Sequence, residues 1–192
     1  MGSAFFGAVD ELCAVARDLG VSEKDIWLGN RATETEIKHL SDAGELAKYR
    51  IIHFAARGAL AGQVGGNSEP GMILTPPSTA TERDDGYLSA SEIAQLKLDA
   101  DWVILSACNT AAGNVKGAEA LSGLARAFFH ACARTLLVSH YAVASDATQE
   151  NWAHRRAMRK SMLALVDRGE AYEADPAFWA PFIVVGEGAA SK

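Results

Sequence analysis

Apolar positions along the chain follow two rhythms. Between residues 5 and 20, Phe6, Val9, Leu12, Cys13, Ala16 and Leu19 recur at three- and four-residue steps. That is the period of a helix with one buried face, and Gly20 supplies its stop. Residues 25–29, Asp-Ile-Trp-Leu-Gly, read as a short strand. Thr33-Glu34-Thr35-Glu36 carries the Thr-x-x-Glu pattern of a capping box and opens a helix to about residue 46. The run 50–56 ends at Arg57-Gly58 and predicts a strand buried on both faces, as in a parallel sheet.

Residues 59–86 hold most of the punctuation: Gly62, Gly65-Gly66, Pro70-Gly71, Pro76-Pro77 and Asp84-Asp85-Gly86. They surround one apolar run, 72–74, which predicts a long excursion with a small strand or hairpin. Ser89-x-x-Glu92 is a second capping-box pattern and opens a helix through Ile93, Leu96 and Leu98. A second buried strand follows at 102–108, a helix at 117–133, a third buried strand at 134–139 and a basic helix at 146–168. Residues 178–185 predict a last strand.

Strands alternating with helices imply an α/β fold, a mostly parallel sheet with helices on both faces joined by right-handed crossovers. No internal repeat or low-complexity linker divides residues 1–192, so one domain is expected. In open sheets of this kind, sites form just past the carboxyl ends of the strands. Three such ends stand out: Arg57-Gly58, Cys108-Asn109 and His140-Tyr141.

Composition narrows the picture. Apolar residues make up 49% and charged residues 22% of the 192, which describes a globular chain. The net charge of −6 disfavours a nucleic-acid binder. Cys13, Cys108 and Cys132 have no disulfide-scaffold or zinc spacing, so a reducing compartment is expected. The N-terminus lacks a basic secretory n-region, and no apolar run reaches membrane-spanning length. A soluble, cytoplasmic protein without membrane partner, metal or organic cofactor is the resulting expectation.

Cys108 is the sharpest chemical feature. A thiol at a strand end, before the turn Asn109-Thr110-Ala111-Ala112-Gly113, can meet substrate and peptide N–H groups that lower its pKa. Read blandly, it is a small apolar core residue. Cys13 and Cys132 fall on helical apolar stripes and read as core. A cysteine nucleophile needs a base, usually histidine. His39, His130 and His154 lie on helices. His53 lies inside a strand, about 13 Å from the expected strand end if that end is four residues on, and reads as a buried, hydrogen-bonded core residue. His140 ends the third strand and could reach the crevice. The N–H of Gly58 could join that of Cys108 as an oxyanion hole. Glu69, Asp84, Asp85 and Glu119 could line an acidic pocket for a basic side chain, although each also reads as plain surface. The basic stretch Arg155-Arg156-x-x-Arg159-Lys160 reads as a solvated helix face.

The segments Ile51-Ile52-His53-Phe54-Ala55-Ala56-Arg57-Gly58 and Val103-Ile104-Leu105-Ser106-Ala107-Cys108-Asn109-Thr110 resemble the CHAT family of caspase-like cysteine peptidase domains. Such domains often follow tetratricopeptide repeats in bacterial proteins. Four further segments, 86–93, 117–128, 134–143 and 176–182, are similar in the same order, so the likeness spans roughly residues 8–188. The resemblance implies a caspase-like three-layer α/β/α sandwich with Cys108 as nucleophile and Gly58 as oxyanion donor. It also implies a protein or peptide as substrate or partner, with tetratricopeptide repeats in a parent protein.

The family's catalytic histidine immediately precedes that glycine, and here the position is Arg57. His53 matches the upstream histidine of the family pattern, not the catalytic one. A guanidinium with a pKa above about 12 cannot take up the thiol proton or return it to a leaving amine. It can still favour a thiolate by its charge. The resemblance therefore implies an impaired or pseudo-peptidase that binds protein or peptide. The alternatives are an active endopeptidase with His140 as relocated base, or a non-catalytic assembly module. One helix after Ser145, where the family commonly has two, and an N-terminal helix without a preceding strand suggest a fragment or degenerate copy of a longer protein.

Overall fold

The computed structural model describes residues 12–13, 16–17, 20–81, 83–106, 115–139 and 182–186. Two sheets organise them. The larger has strand order β1-β5-β6-β7, with β1 Ile51–Phe54, β5 Trp102–Leu105, β6 Thr135–Ser139 and β7 Phe182–Gly186. β1, β5 and β6 run parallel, and β7 closes the far edge antiparallel to β6. The smaller sheet is antiparallel, with order β2-β3-β4 and strands β2 Arg57–Ala59, β3 Gly71–Ile73 and β4 Tyr87–Ser89. It occupies the connection between β1 and β5. The chain is thus α/β with a mostly parallel principal sheet, as its alternating pattern predicts.

Among the described residues, 12–13 and 16–17 are helical, and the helices that accompany the strands further on include α1 Glu34–Asp42, α2 Ala90–Ile93 and α3 Val115–His130. Both capping signals act at their helix starts. Thr33 Oγ1 accepts the Glu36 N–H at 3.2 Å. Ser89 and Glu92 form the reciprocal box, with the Ser89 N–H bound to Glu92 Oε2 at 2.9 Å. One face of the large sheet packs Phe54, Val103, Leu105, Leu136 and Val138 against Leu124 and Phe128 of α3. The Phe54 and Phe128 rings lie 5.7 Å apart at 44°. Trp102, Ile104 and Leu137 alternate onto the other face and are buried too, so the central strands are covered on both sides.

Several expectations change in detail. The strand expected at 25–29 is replaced by 3-10 turns at Glu23–Asp25 and Gly29–Arg31. Its apolar side chain is satisfied by packing instead: Trp27 meets Tyr49 edge-to-face at 6.1 Å and lies beneath the Arg31 guanidinium. The strand expected over 50–56 stops at Phe54 because its partner β5 stops at Leu105. β1 is also an edge strand of the described sheet, with Ile51 40% exposed, rather than a strand buried on both faces. The helix expected from Ser89 to Leu98 contracts to a single turn, α2. Cys132 is not on an apolar stripe. It follows α3, exposed, at φ +70°. There Ala133 N–H bonds to Phe128 O and Cys132 N–H to Phe129 O, the paired bonds of a Schellman exit. The basic helix expected at 146–168 lies outside the described residues.

Candidate functional site

The parallel register brings Phe54 opposite Leu105, so the carboxyl ends of β1 and β5 stand side by side. The Ser106 N–H continues the ladder by donating to Phe54 O at 3.2 Å. His53 is opposite Ile104, and Ser106 lies two residues further along on the same face. Their side chains meet there, with His53 Nε2 and Ser106 Oγ 2.7 Å apart. Because β1 ends at Phe54, His53 sits at the strand tip and not four residues below it. Burial pushes its pKa from the ordinary 6.5 down to about 3, so the ring is neutral at physiological pH. It is hydrogen-bonded, as its place inside an apolar run predicts.

Arg57 and Gly58 do not terminate β1. After Ala55-Ala56 the chain enters the small sheet, where Arg57 is opposite Ile73 and Gly58 opposite Met72. Antiparallel pairing with 71–73 takes over where the parallel ladder has run out of partner. Gly58, Met72 and Leu88 point toward the core, the last two with no exposure. Arg57, Ile73 and Tyr87 share the opposite face, and Arg57 is exposed. Two strand spacings separate Arg57 from Tyr87, about 10 Å. Cys108 and His140 lie outside the described residues, as do the surroundings of the Glu119 side chain.

Tyr87 closes over Gly71. A Cβ at Gly71 would fall 2.6 Å from Tyr87 Cζ and 2.6 Å from Leu88 O, so only glycine fits. The Tyr87 hydroxyl donates to Glu69 O at 2.8 Å, and burial, with help from Glu69 and Asp85, pushes its pKa up to about 12. Beside the ring, Asn67, Asp85, Ser89 and Glu92 complete a polar cleft of about 240 Å³.

The acidic candidates divide. Asp85 lines that cleft while its Oδ1 accepts the Tyr87 N–H. Asp84 is buried and accepts from Thr35 Oγ1 and the Gly86 N–H, so it is structural. Glu69 accepts the N–H and the hydroxyl of Ser91 at the start of α2.

A buried polar network lies behind the cleft. Glu34, 1% exposed, accepts from Lys38 Nζ, the Asp85 N–H and the Gly86 N–H. Lys38 also donates to Glu92 Oε1 and Arg83 O, which occupies all three of its protons. Burial raises the Glu34 pKa against the opposing pull of Lys38. Burial acts the same way on Glu92, but Lys38 and Ser89 outweigh it and hold that carboxyl below its ordinary value. Lys38 is itself raised, because its bonds to Glu34 and Glu92 exceed the cost of burying an ammonium.

Sequence reasoning missed Glu34, Lys38 and Ser106. Glu34-x-x-x-Lys38 looks like an ordinary solvated i,i+4 pair, and nothing in that spacing announces burial. Ser106 had one available signal: it lies an even number of residues from Ile104, on the face that His53 shares.

Among the described residues, no group of three His, Cys, Asp or Glu side chains could hold a metal ion, and no helix is long and apolar enough to cross a membrane. No curated protein matches the chain. The CHAT domain family matches residues 3–187, nearly the whole sequence. With adjoining strand tips, an excursion sheet after the first of them and this match, the chain belongs to the CHAT domain family, a family of caspase-like, peptidase-related domains.

Proposed function

We propose that this CHAT domain retains the nucleophile position at Cys108, has lost the general base at Arg57, and works by holding a protein or peptide without efficient cleavage. One observation carries the reading. The two positions nearest the family's base both fail as bases: Arg57 is a permanent cation, and His53 is neutral with its Nε2 bonded to Ser106. General acid–base help contributes about 10²–10⁴-fold, so a thiol without it is a poor peptidase. Gly58, the oxyanion donor that the resemblance implies, is kept directly after Arg57. Free thiols at Cys13 and Cys132 fit a reducing, cytoplasmic setting. The parent protein would carry tetratricopeptide repeats that present the domain to its partner.

The test is turnover of a broad peptide library by the wild-type chain, Cys108→Ala and Arg57→His. The expected result is negligible cleavage by wild type and a gain in Arg57→His that Cys108→Ala abolishes. Robust wild-type cleavage that vanishes in Cys108→Ala overturns the reading and puts the base elsewhere. His140→Ala would then test that residue.

A further inference from the structure

We propose that the His53–Ser106 hydrogen bond is a cross-strand latch that fixes the carboxyl-terminal tip of β5, making His53 a positioning residue for Cys108 rather than a base. The claim rests on the reading of Cys108 as the reactive group of the site.

The latch joins adjacent strands at the last point where both are still paired. Phe54 is opposite Leu105, the Ser106 N–H reaches back to Phe54 O at 3.2 Å, and the side-chain bond lies on the neighbouring face at 2.7 Å. Ser106 is therefore held to β1 twice, once by backbone and once by side chain. Cys108 follows two residues later. A small displacement of a reacting group costs orders of magnitude in rate, so a clamp on the residue two positions before the nucleophile sets its aim.

The same geometry resembles a nucleophile–base pair, serine hydroxyl to imidazole. The setting of the ring argues against that use. The imidazole Nδ1 is sealed from solvent, and burial alone depresses the ring's basicity far below what a general base needs near neutrality. A group that resists protonation keeps one hydrogen-bonding pattern across the working pH range, which suits a positioning element.

Two measurements test the latch on the full chain. The first is amide hydrogen exchange at Ser106 in wild type, His53→Ala, His53→Asn, Ser106→Ala and the conservative variants His53→Gln and Ser106→Thr. His53→Asn shortens the reach and serves as a second disrupting variant should His53→Ala fail to fold. The disrupting variants should exchange at least about tenfold faster, and the conservative pair should stay near wild type. Wild-type exchange in all of them overturns the latch.

The second measurement is the rate of Cys108 alkylation by iodoacetamide between pH 5 and 8. It should fall by about tenfold or more in the disrupting variants and recover in His53→Gln and Ser106→Thr. An inflection lost in His53→Gln would make His53 a base and overturn the proposal. So would Ser106 labelling by a fluorophosphonate that disappears in that variant. Unchanged alkylation alongside accelerated exchange would overturn the link to Cys108. A wild-type Cys108 no more reactive than Cys132 would instead remove the functional reading, while the exchange measurement still decides the latch.

Discussion

Glu34 Oε2 accepts the backbone N–H of Gly86 at 3.1 Å, a bond that pins the start of α1 to the turn before β4. The same oxygen takes the Asp85 N–H at 3.0 Å, and Oε1 takes Lys38. Glu34→Ala would take the acceptor from the Asp85 N–H and one of two acceptors from the Gly86 N–H, which keeps Asp84, and would remove one partner of a largely buried ammonium. Removing one partner of such a set costs about 2–4 kcal/mol, tempered here because Lys38 keeps Glu92. Glu34→Gln, which keeps an acceptor oxygen, should lose less. Urea denaturation of the two variants checks the order, and equal stability of Glu34→Ala and wild type would contradict it.

Gly86 is under two constraints at once. Its φ is +81°, and an added Cβ would lie 2.8 Å from Pro76 Cα. Gly86→Ala should therefore destabilise by about 2 kcal/mol or more, from left-handed strain together with a backbone clash. Gly62, at a similar φ of +79°, has no atom within 4 Å of the added group. Gly62→Ala should cost only the backbone term, about 1 kcal/mol. The difference between the two melting curves isolates the clash.

Cys132 occupies the residue after α3 where glycine is favoured. It is exposed and held at φ +70° by the Schellman bonds of Ala133 and of its own N–H. Cys132→Gly should stabilise the protein by about 0.5–1 kcal/mol, the relief of left-handed strain less the entropy that glycine adds to the unfolded chain. Cys132→Val should go the opposite way by at least as much. Thermal unfolding under reducing conditions measures both.

The His53 ring gives the protein a sensitivity to acid. Its folded pKa of about 3 lies below the ordinary 6.5, so the unfolded chain binds the extra proton first. Stability from this group is complete above pH 6.5 and is lost as pH falls toward 3, at up to about 1.4 kcal/mol per pH unit. Glu34, with its raised pKa, contributes in the other direction: its share is present below 4.5 and is lost as pH rises through the raised value. The comparison that separates them is wild type against His53→Gln by denaturant unfolding at several pH values. The stability difference should shift in favour of His53→Gln between pH 6.5 and 4.5. Parallel pH curves would show that His53 does not titrate on unfolding.

The principal sheet was legible because its strands are dense apolar runs bounded by turns. Residues 102–105 and 135–138 are buried almost throughout, and a periodicity argument sees that directly. Caps were legible for the same local reason: Thr33 and Ser89 bond to groups three residues away. What escaped depended on partners distant in sequence. Ile26, Trp27 and Leu28 form no ladder among the described residues despite a strand-like composition. β1 stops at Phe54 because β5 has stopped, which is information about a segment some fifty residues on. Arg57 and Gly58 read as the end of the first strand but open β2 instead, since a three-residue antiparallel pairing leaves no period to detect. The burial of Glu34 was invisible because its acceptors are matched by backbone N–H groups that any sequence would supply.

The turn joining β2 to β3 has a consequence for how this scaffold tolerates change. Gly62, Gly65 and Gly66 all take positive φ with open space around them, while the strands on either side are locked by register. Lengthening that turn would extend the small sheet beyond the Ala59–Gly71 rung without altering a rung of the β1–β5–β6 ladder. The molecule thus separates a part free to be rewritten from a part that must stay as it is, and new recognition could be grafted onto the first while the second continues to hold the strand tips in line.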